Sequence, residues 1–124
     1  MRILILSLFM AGSACATVAE PRGDGWAAIG EATRAGTLTV TPLEIVEDSR
    51  CPEGVHCVWA GRLVVRTRIE GDPSRLVELT LGEEIRAADG LLELDRIEPE
   101  AAEGIEIPPG RYRFHYRHAP FIMD

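Results

Sequence analysis

The feature that most constrains the fold is a two-residue periodicity that recurs in short runs along the chain. It is clearest in residues 111–117, where Tyr112, Phe114 and Tyr116 alternate with Arg or His. Because successive side chains of a β-strand point to opposite faces, this run predicts a strand with an aromatic face toward the core. The opposite face is predicted to be cationic and solvent-facing, with Arg111, Arg113, His115 and Arg117 in one row.

Four further runs predict strands in the same way, and turn-forming Gly, Pro, Asp and Ser residues separate them. Pro42 interrupts the first run, which indicates a β-bulge or an edge position because proline cannot donate a ladder hydrogen bond. Residues 71–74 predict the turn of a hairpin. Residues 83–88 are the only helical candidate and are too short to change the fold class. The four runs are residues 37–46, 62–70, 75–81 and 91–97.

The first sixteen residues have the three parts of a secretion signal, namely a basic start, an apolar run and a block of small residues. The apolar run is about half the ~20 residues that a membrane-spanning helix needs. The sequence therefore predicts an exported protein without a transmembrane segment. The predicted organisation is a signal peptide at 1–16, a loose N-terminal arm at 17–36 and a single β domain at 37–124.

The fate of the signal leaves two products open. Cleavage after Ala16, or after Ala19, would release a free periplasmic or secreted protein. Lipidation of Cys15, which follows small residues, would instead leave a membrane-anchored lipoprotein. Gly12 stands where a lipoprotein signal has a large apolar residue, so the free product is favoured.

Cys51 and Cys57 predict a disulfide-closed loop. An exported chain enters an oxidising compartment, where such a pair is normally oxidised, and Pro52 and Gly54 favour a tight turn between the two cysteines. Zinc sites use a closer cysteine spacing with a second ligand pair, and redox-active pairs favour C-x-x-C. With this loop, the predicted fold is all-β: a small antiparallel β-sandwich or a partly open barrel. The candidate interaction residues of the cysteine loop are Arg50, Glu53, His56 and Trp59.

The same stretch, read as DSRCP-x-x-V-x-CVWAG from Asp48 to Gly61, resembles a signature of an uncharacterised family of small bacterial periplasmic proteins and lipoproteins. Residues 92–99 and 107–112 are similar to that family as well. The resemblance implies a small β domain outside the cytoplasm. It supplies no information about an activity, because the family is uncharacterised.

Composition and spacing exclude several classes of function. The chain has a net charge of −7 and no Lys, Asn or Gln, so nucleic acid is a poor partner and lysine-based catalysis is excluded. Ser49 follows Asp48 but lacks the G-x-S-x-G elbow of a hydrolase. His115 and His118 are three positions apart, so on one strand they face opposite sides and would not chelate one ion. We therefore predict no enzyme, no cofactor and no metal site.

The cationic row has two interpretations. A charged strand discourages edge-to-edge aggregation, and acidic residues such as Glu93, Asp95 and Glu98 could neutralise it by cross-strand pairing. Alternatively, the row, extended by Arg66 and Arg68, is a surface for an anionic ligand or a partner.

The leading hypothesis is a non-enzymatic binding module that recognises an unknown protein or envelope component through the cysteine loop. A periplasmic protein that binds a metal or small ligand through His56, His115 and His118 is the alternative. A third hypothesis is an inhibitor of an extracytoplasmic enzyme.

Overall fold

The computed structural model describes residues 12, 20–52, 54–59, 61–71, 74–102 and 104–122. Within these residues the chain forms two antiparallel sheets of four strands each. The fold is an all-β sandwich, which confirms the predicted fold class. The strands are β1 (Trp26–Ala27), β2 (Thr33–Ala35), β3 (Leu38–Asp48), β4 (Leu63–Glu70), β5 (Arg75–Thr80), β6 (Glu84–Ala87), β7 (Gly90–Glu98) and β8 (Arg113–Pro120).

The first sheet has the strand order β2-β3-β4-β5. Strands β4 and β5 form the predicted hairpin, with Ile69 opposite Arg75. The register of β3 against β4 shifts between Pro42 and Glu44, so the bulge that the proline indicates is present. The amide of Gly30 donates to the Pro42 carbonyl at 2.7 Å, on the edge of β3 that faces β2 and just beyond the last paired residue of β2.

The second sheet has the order β1-β8-β7-β6. Strands β7 and β8 pair over nearly their full length, with a register shift between Leu94 and Arg96. A single-turn 3₁₀ helix, Pro109–Arg111, precedes β8, so this strand begins slightly later than the alternation predicts.

The core lies between the two sheets and contains the aromatic face predicted for the last strand. Tyr112, Phe114 and Tyr116 are buried, and they pack among the aliphatic side chains of β4 and β7. A hydrogen bond of 3.0 Å joins the hydroxyls of Thr67 and Tyr116 across the sheets. Burial raises the pKa of Tyr116, and the hydrogen bond with Thr67 offsets only part of that effect. The buried hydroxyls are thus satisfied by each other.

Two predictions about organisation need correction. Residues 20–36, which fall in the predicted loose arm, supply an edge strand to each sheet, with Ala27 and Thr33 fully buried. These strands are two and three residues long, too short to show a periodicity. Residues 84–87, which lie within the helical candidate, are strand β6 and pair with β7. The sequence did not reveal this strand because only Ala87 of its four residues is buried, which leaves little apolar pattern. Cys15 and the predicted signal peptide, apart from residue 12, lie outside the described residues.

The connections divide the sandwich into two ends. The turn end carries the β2–β3, β4–β5 and β6–β7 connections, with Gly36 in the first and Asp89 in the last. The loop end carries the cysteine loop, residues 49–62, between β3 and β4, and the acidic loop, residues 99–112, between β7 and β8. Long loops on a rigid scaffold are common sites of binding, so the loop end is the place to look for function.

Candidate interaction site

The base of the cysteine loop is closed by Ser49. Its amide donates to the carbonyl of Arg62 at 2.8 Å, and the Arg62 amide donates to the Ser49 hydroxyl at 3.1 Å. Gly61 is required here, because a Cβ at this position would lie 1.8 Å from the Ser49 carbonyl oxygen. Ser49 therefore serves the loop's structure, as its lack of a hydrolase elbow indicates.

The disulfide between Cys51 and Cys57 closes the distal part of the loop and confirms the sequence prediction. The two Cα atoms are 5.9 Å apart. Chain-entropy arithmetic for so small a ring gives about 2 kcal/mol of stabilisation. A stabilisation of this size indicates that the disulfide shapes the loop more than it holds the domain together.

Three apolar side chains project from this loop into solvent. Val58 is 98 % exposed, Trp59 is 57 % exposed and Val55 is also exposed. The indole Nε1 of Trp59 donates to the Ser49 carbonyl at 3.2 Å, which fixes the ring against the loop base. We call these three residues the apolar tip. Removal of apolar side chains from water is favourable, so an exposed tip of this kind is a candidate surface for contact with a partner.

Arg50 ties the cysteine loop to the acidic loop. Its guanidinium donates two hydrogen bonds to the carboxylate of Asp48, at 2.8 and 3.0 Å, and a third to the carbonyl of Pro99 at 3.1 Å. The hydroxyl of Tyr112 donates to the same Asp48 carboxylate at 2.6 Å. We call Asp48, Arg50 and Tyr112 the loop clamp. It joins the end of β3 and the cysteine loop to the acidic loop.

The clamp shifts the titration of its members. Partial burial acts to raise the pKa of Asp48, but the hydrogen bonds from Arg50 and Tyr112 outweigh it and hold that pKa below its ordinary value. Burial, followed by the hydrogen bond to Asp48, raises the pKa of Tyr112 to about 12. The hydrogen bonds to Asp48 raise the pKa of Arg50. Asp48 is thus ionised and Tyr112 protonated across the physiological range.

A cleft of about 440 Å³ lies between the cysteine loop and the acidic loop. Arg50 and Pro52 line it from the cysteine loop, and Ile45 and Asp48 line it from β3. The acidic loop contributes Ala101, Ala102, Ile105, Glu106, Ile107, Pro109 and Tyr112. Most lining residues are apolar by type, but about half of the exposed lining surface is polar, and it belongs largely to the loop clamp and Glu106.

The four candidate loop residues have different positions. Arg50 is largely buried, with a side chain only 13 % exposed, and its charge is neutralised by Asp48. His56 and Trp59 are exposed on the loop. Glu53 lies outside the described residues. The available contact surface of the loop is therefore apolar at Trp59 and its neighbours, and Arg50 is part of the scaffold.

The predicted cationic row is divided by cross-strand pairing. Arg117 forms an ion pair with Glu93, and His115 Nδ1 lies 2.5 Å from Asp95. His115 is partly buried, with its ring 5.0 Å from that of Trp26, so it does not face open solvent as predicted. Arg111 and Arg113 are exposed. Arg66 and Arg68 lie on β4 of the other sheet and do not extend the row.

The histidines lie apart from one another. His118 has a side chain only 2 % exposed, and its Nε2 lies 3.0 Å from the Ala87 carbonyl at the turn end. His115 is on the opposite face of the same strand, and His56 is on the cysteine loop. Among the described residues, no three His, Cys, Asp or Glu side chains converge closely enough to hold one metal ion.

Two features of the site escaped the sequence prediction. Of the apolar tip, the sequence prediction included only Trp59. Val55 and Val58 were missed, although their positions next to the cysteines were a signal, because a disulfide can hold a short loop with its apolar side chains exposed. The loop clamp carried a local signal as well, because Asp48 and Arg50 are two positions apart at a strand end and lie on the same face. Their distant partners, Pro99 and Tyr112, carry no local signal.

No protein-family model, curated protein or solved structure matches this chain. Within the part of the chain that the structure describes, no helix has the length and apolar character needed to cross a bilayer.

Proposed function

We propose that this protein is an exported binding module that holds a partner protein of the cell envelope through the apolar tip. The observation that carries the proposal is the near-complete exposure of Val58, beside a half-exposed Trp59, on a loop closed by a disulfide. The resemblance of the loop to periplasmic proteins supports the location. Binding, rather than catalysis, is the function that this arrangement favours.

The rigidity of the loop supports a binding role. A flexible loop loses conformational entropy when it binds, and this loss lowers affinity. Here the Cys51–Cys57 bond, the Ser49 hydrogen bonds and the loop clamp restrict the loop before any partner arrives. Tryptophan is also enriched among the few interface residues that dominate binding energy. A pre-formed tip with Trp59 beside Val58 therefore suits a compact protein contact.

The charge of the chain favours a protein partner over other surfaces. A net charge of −7 repels nucleic acid and anionic lipid headgroups. The apolar tip would enter an apolar pocket on another protein, where its area is removed from water.

The proposal is tested by comparing matched surface variants in a capture experiment. The oxidised chain, immobilised and mixed with envelope extract, is compared with Val58→Asp and with Ile122→Asp. Ile122 is 90 % exposed next to the turn end, so it controls for the loss of an exposed apolar residue. We expect a protein captured by the parent and by Ile122→Asp, and retained at least tenfold less by Val58→Asp at an unchanged melting temperature.

The captured protein is then purified and its Kd measured against the three chains. Equal binding by Val58→Asp would overturn the proposal. Co-sedimentation with neutral phosphatidylcholine vesicles that depends on Val58 would overturn the choice of a protein as the partner.

An enzyme is one kind of partner that a rigid loop fits, as the inhibitor hypothesis holds. A panel of secreted proteases and lysozymes assayed with the parent chain tests this form of the proposal. Inhibition that Val58→Asp abolishes and Ile122→Asp preserves would support it, and an uninhibited panel would remove it.

A further inference from the structure

We infer that the cleft between the cysteine loop and the acidic loop binds a segment of a protein partner in which a large apolar side chain stands next to an Arg or Lys. This inference rests on the proposed function and extends it, because it names the chemistry of the partner. The apolar tip and the cleft share the cysteine loop, so one partner can contact both.

The size and lining of the cleft fit a large apolar side chain with its backbone. Its volume of about 440 Å³ falls within the ~300–1,000 Å³ typical of binding pockets. Pro52, Ile105 and Ile107 give it apolar walls contributed by both loops. Ile105 is exposed in the free protein, so a partner that covers it removes apolar surface from water.

Hydrogen bonds between the two loops hold the walls of the cleft in position, and a partner need not break them to bind. Arg50 of the cysteine loop donates to the Pro99 carbonyl of the acidic loop, and Tyr112 donates to Asp48. Both bonds connect the two sides of the cleft, and Asp48, Arg50 and Tyr112 are part of its lining. The cleft is therefore largely pre-formed, which lowers the entropic cost of binding.

The charge that remains in the cleft is negative. Asp48 and Arg50 neutralise each other, which leaves Glu106 as the unneutralised charge of the lining. In the described part of the chain, none of Glu98, Glu100 and Glu106 forms an ion pair. Arg111 and Arg113 line a neighbouring depression that shares Ile105 and Glu106 with this cleft, but they do not line the cleft itself. An apolar side chain flanked by a cation matches this arrangement by charge complementarity.

The probe that tests the inference is a phage-displayed library of random linear peptides, selected on the oxidised full chain. We expect the selected peptides to combine Trp, Phe or Leu with an adjacent Arg or Lys. A selected peptide, synthesised with a fluorescent label, should bind at least tenfold more weakly to Glu106→Arg and to Ile105→Asp. Both side chains are exposed, so these changes should leave the melting temperature unchanged.

Glu83→Arg is the matched control, because it reverses an exposed acid of a turn outside the cleft and changes the net charge equally. Peptide binding to Glu83→Arg should stay within twofold of the parent. Peptides without a cation, no selected peptide at all, or unchanged binding to Glu106→Arg and Ile105→Asp would each overturn the inference.

Val58→Asp separates this inference from the proposed function. Peptides that lose affinity with Glu106→Arg and Ile105→Asp, but not with Val58→Asp, support the cleft whether or not the apolar tip has a role. An envelope partner that depends on Val58 but not on Glu106 or Ile105 supports the tip and overturns the cleft.

Discussion

The two ends of the sandwich are built on different principles. At the turn end, short turns reverse the chain and His118 is buried between them, with its ring close to Gly36. At the loop end, two long loops leave the sheets, and the side chains of the loop clamp and one disulfide hold them. Backbone geometry makes the first end rigid, whereas a few side chains make the second end rigid.

This difference separates the residues that hold the loop end from those that it displays. The clamp is largely buried, but Val58 and Ile105 contribute little to the fold and are exposed. A surface residue of this kind can be changed with little effect on stability. The loop end therefore offers a contact surface that can vary with little effect on the scaffold.

The largest expected effect comes from removing the carboxylate on which the clamp depends. Asp48→Ala leaves the guanidinium of Arg50 and the hydroxyl of Tyr112 without their acceptor in a largely buried position. Breaking a buried ion pair in this way costs about 3 kcal/mol, and urea denaturation would measure the loss. Asp89→Ala is the control at the turn end, because Asp89 is exposed and lies 3.7 Å from His118. Equal losses in the two variants would show that the ends do not differ.

Alkaline pH should weaken the loop end by a similar amount. The pKa of Tyr112 is about 12 in the folded protein and about 10 in an unfolded chain, so the folded state retains its proton over that interval. The stabilisation is complete below pH ~10 and is lost as the pH rises through 12, by about 3 kcal/mol in all. Tyr112→Phe is less stable at neutral pH but should show a shallower alkaline loss. Tyr116 titrates similarly in both proteins, so parallel curves would count against Tyr112.

Removal of the disulfide should have a smaller and more local effect. The double change Cys51→Ser with Cys57→Ser should lower the free energy of unfolding by about 2 kcal/mol. Amide hydrogen exchange should accelerate at the described residues of the cysteine loop and stay unchanged around His118. Faster exchange throughout both sheets would mean that the disulfide supports the whole fold.

The smallest effect tests the turn end. Gly36 has a φ of +58°, and a Cβ there would lie 2.7 Å from the buried ring of His118. Gly30 has a φ of +82° with no neighbouring atom near its Cβ position, so Gly30→Ala has backbone strain alone. We expect Gly36→Ala to be about 1 kcal/mol less stable than Gly30→Ala in thermal unfolding, since crowding adds to strain. Similar melting temperatures would show that His118 can move.

The sequence predicted the parts of the fold that have a local pattern. The aromatic face of Tyr112, Phe114 and Tyr116, the bulge at Pro42 and the hairpin at 71–74 all follow from periodicity or turn chemistry. Strands β1, β2 and β6 could not be predicted in this way, because segments of two to four residues form strands only when they pair with a neighbouring strand. Their placement depends on tertiary pairing rather than on intrinsic propensity.

The site was predictable only in part for a related reason. Cys51, Cys57 and Trp59 are visible in the sequence, and the disulfide followed from the prediction of export. The clamp joins Arg50 to Pro99 and Asp48 to Tyr112, and such long-range contacts leave no periodic signal. Arg50 was therefore predicted to contact a partner, and the structure places it in the scaffold.

The pairing of β1 with β8 has a consequence for the order in which the protein can fold. Ala27 lies opposite Phe114, so nearly opposite ends of the described chain meet in one sheet. Synthesis delivers the N-terminal strand first, and it has no partner until the final strand emerges. Phe114 and Tyr116 also complete the core only then, which leaves the apolar faces of β4 and β7 partly uncovered throughout synthesis. Chaperone binding to the nascent chain should therefore persist until Tyr116 has emerged.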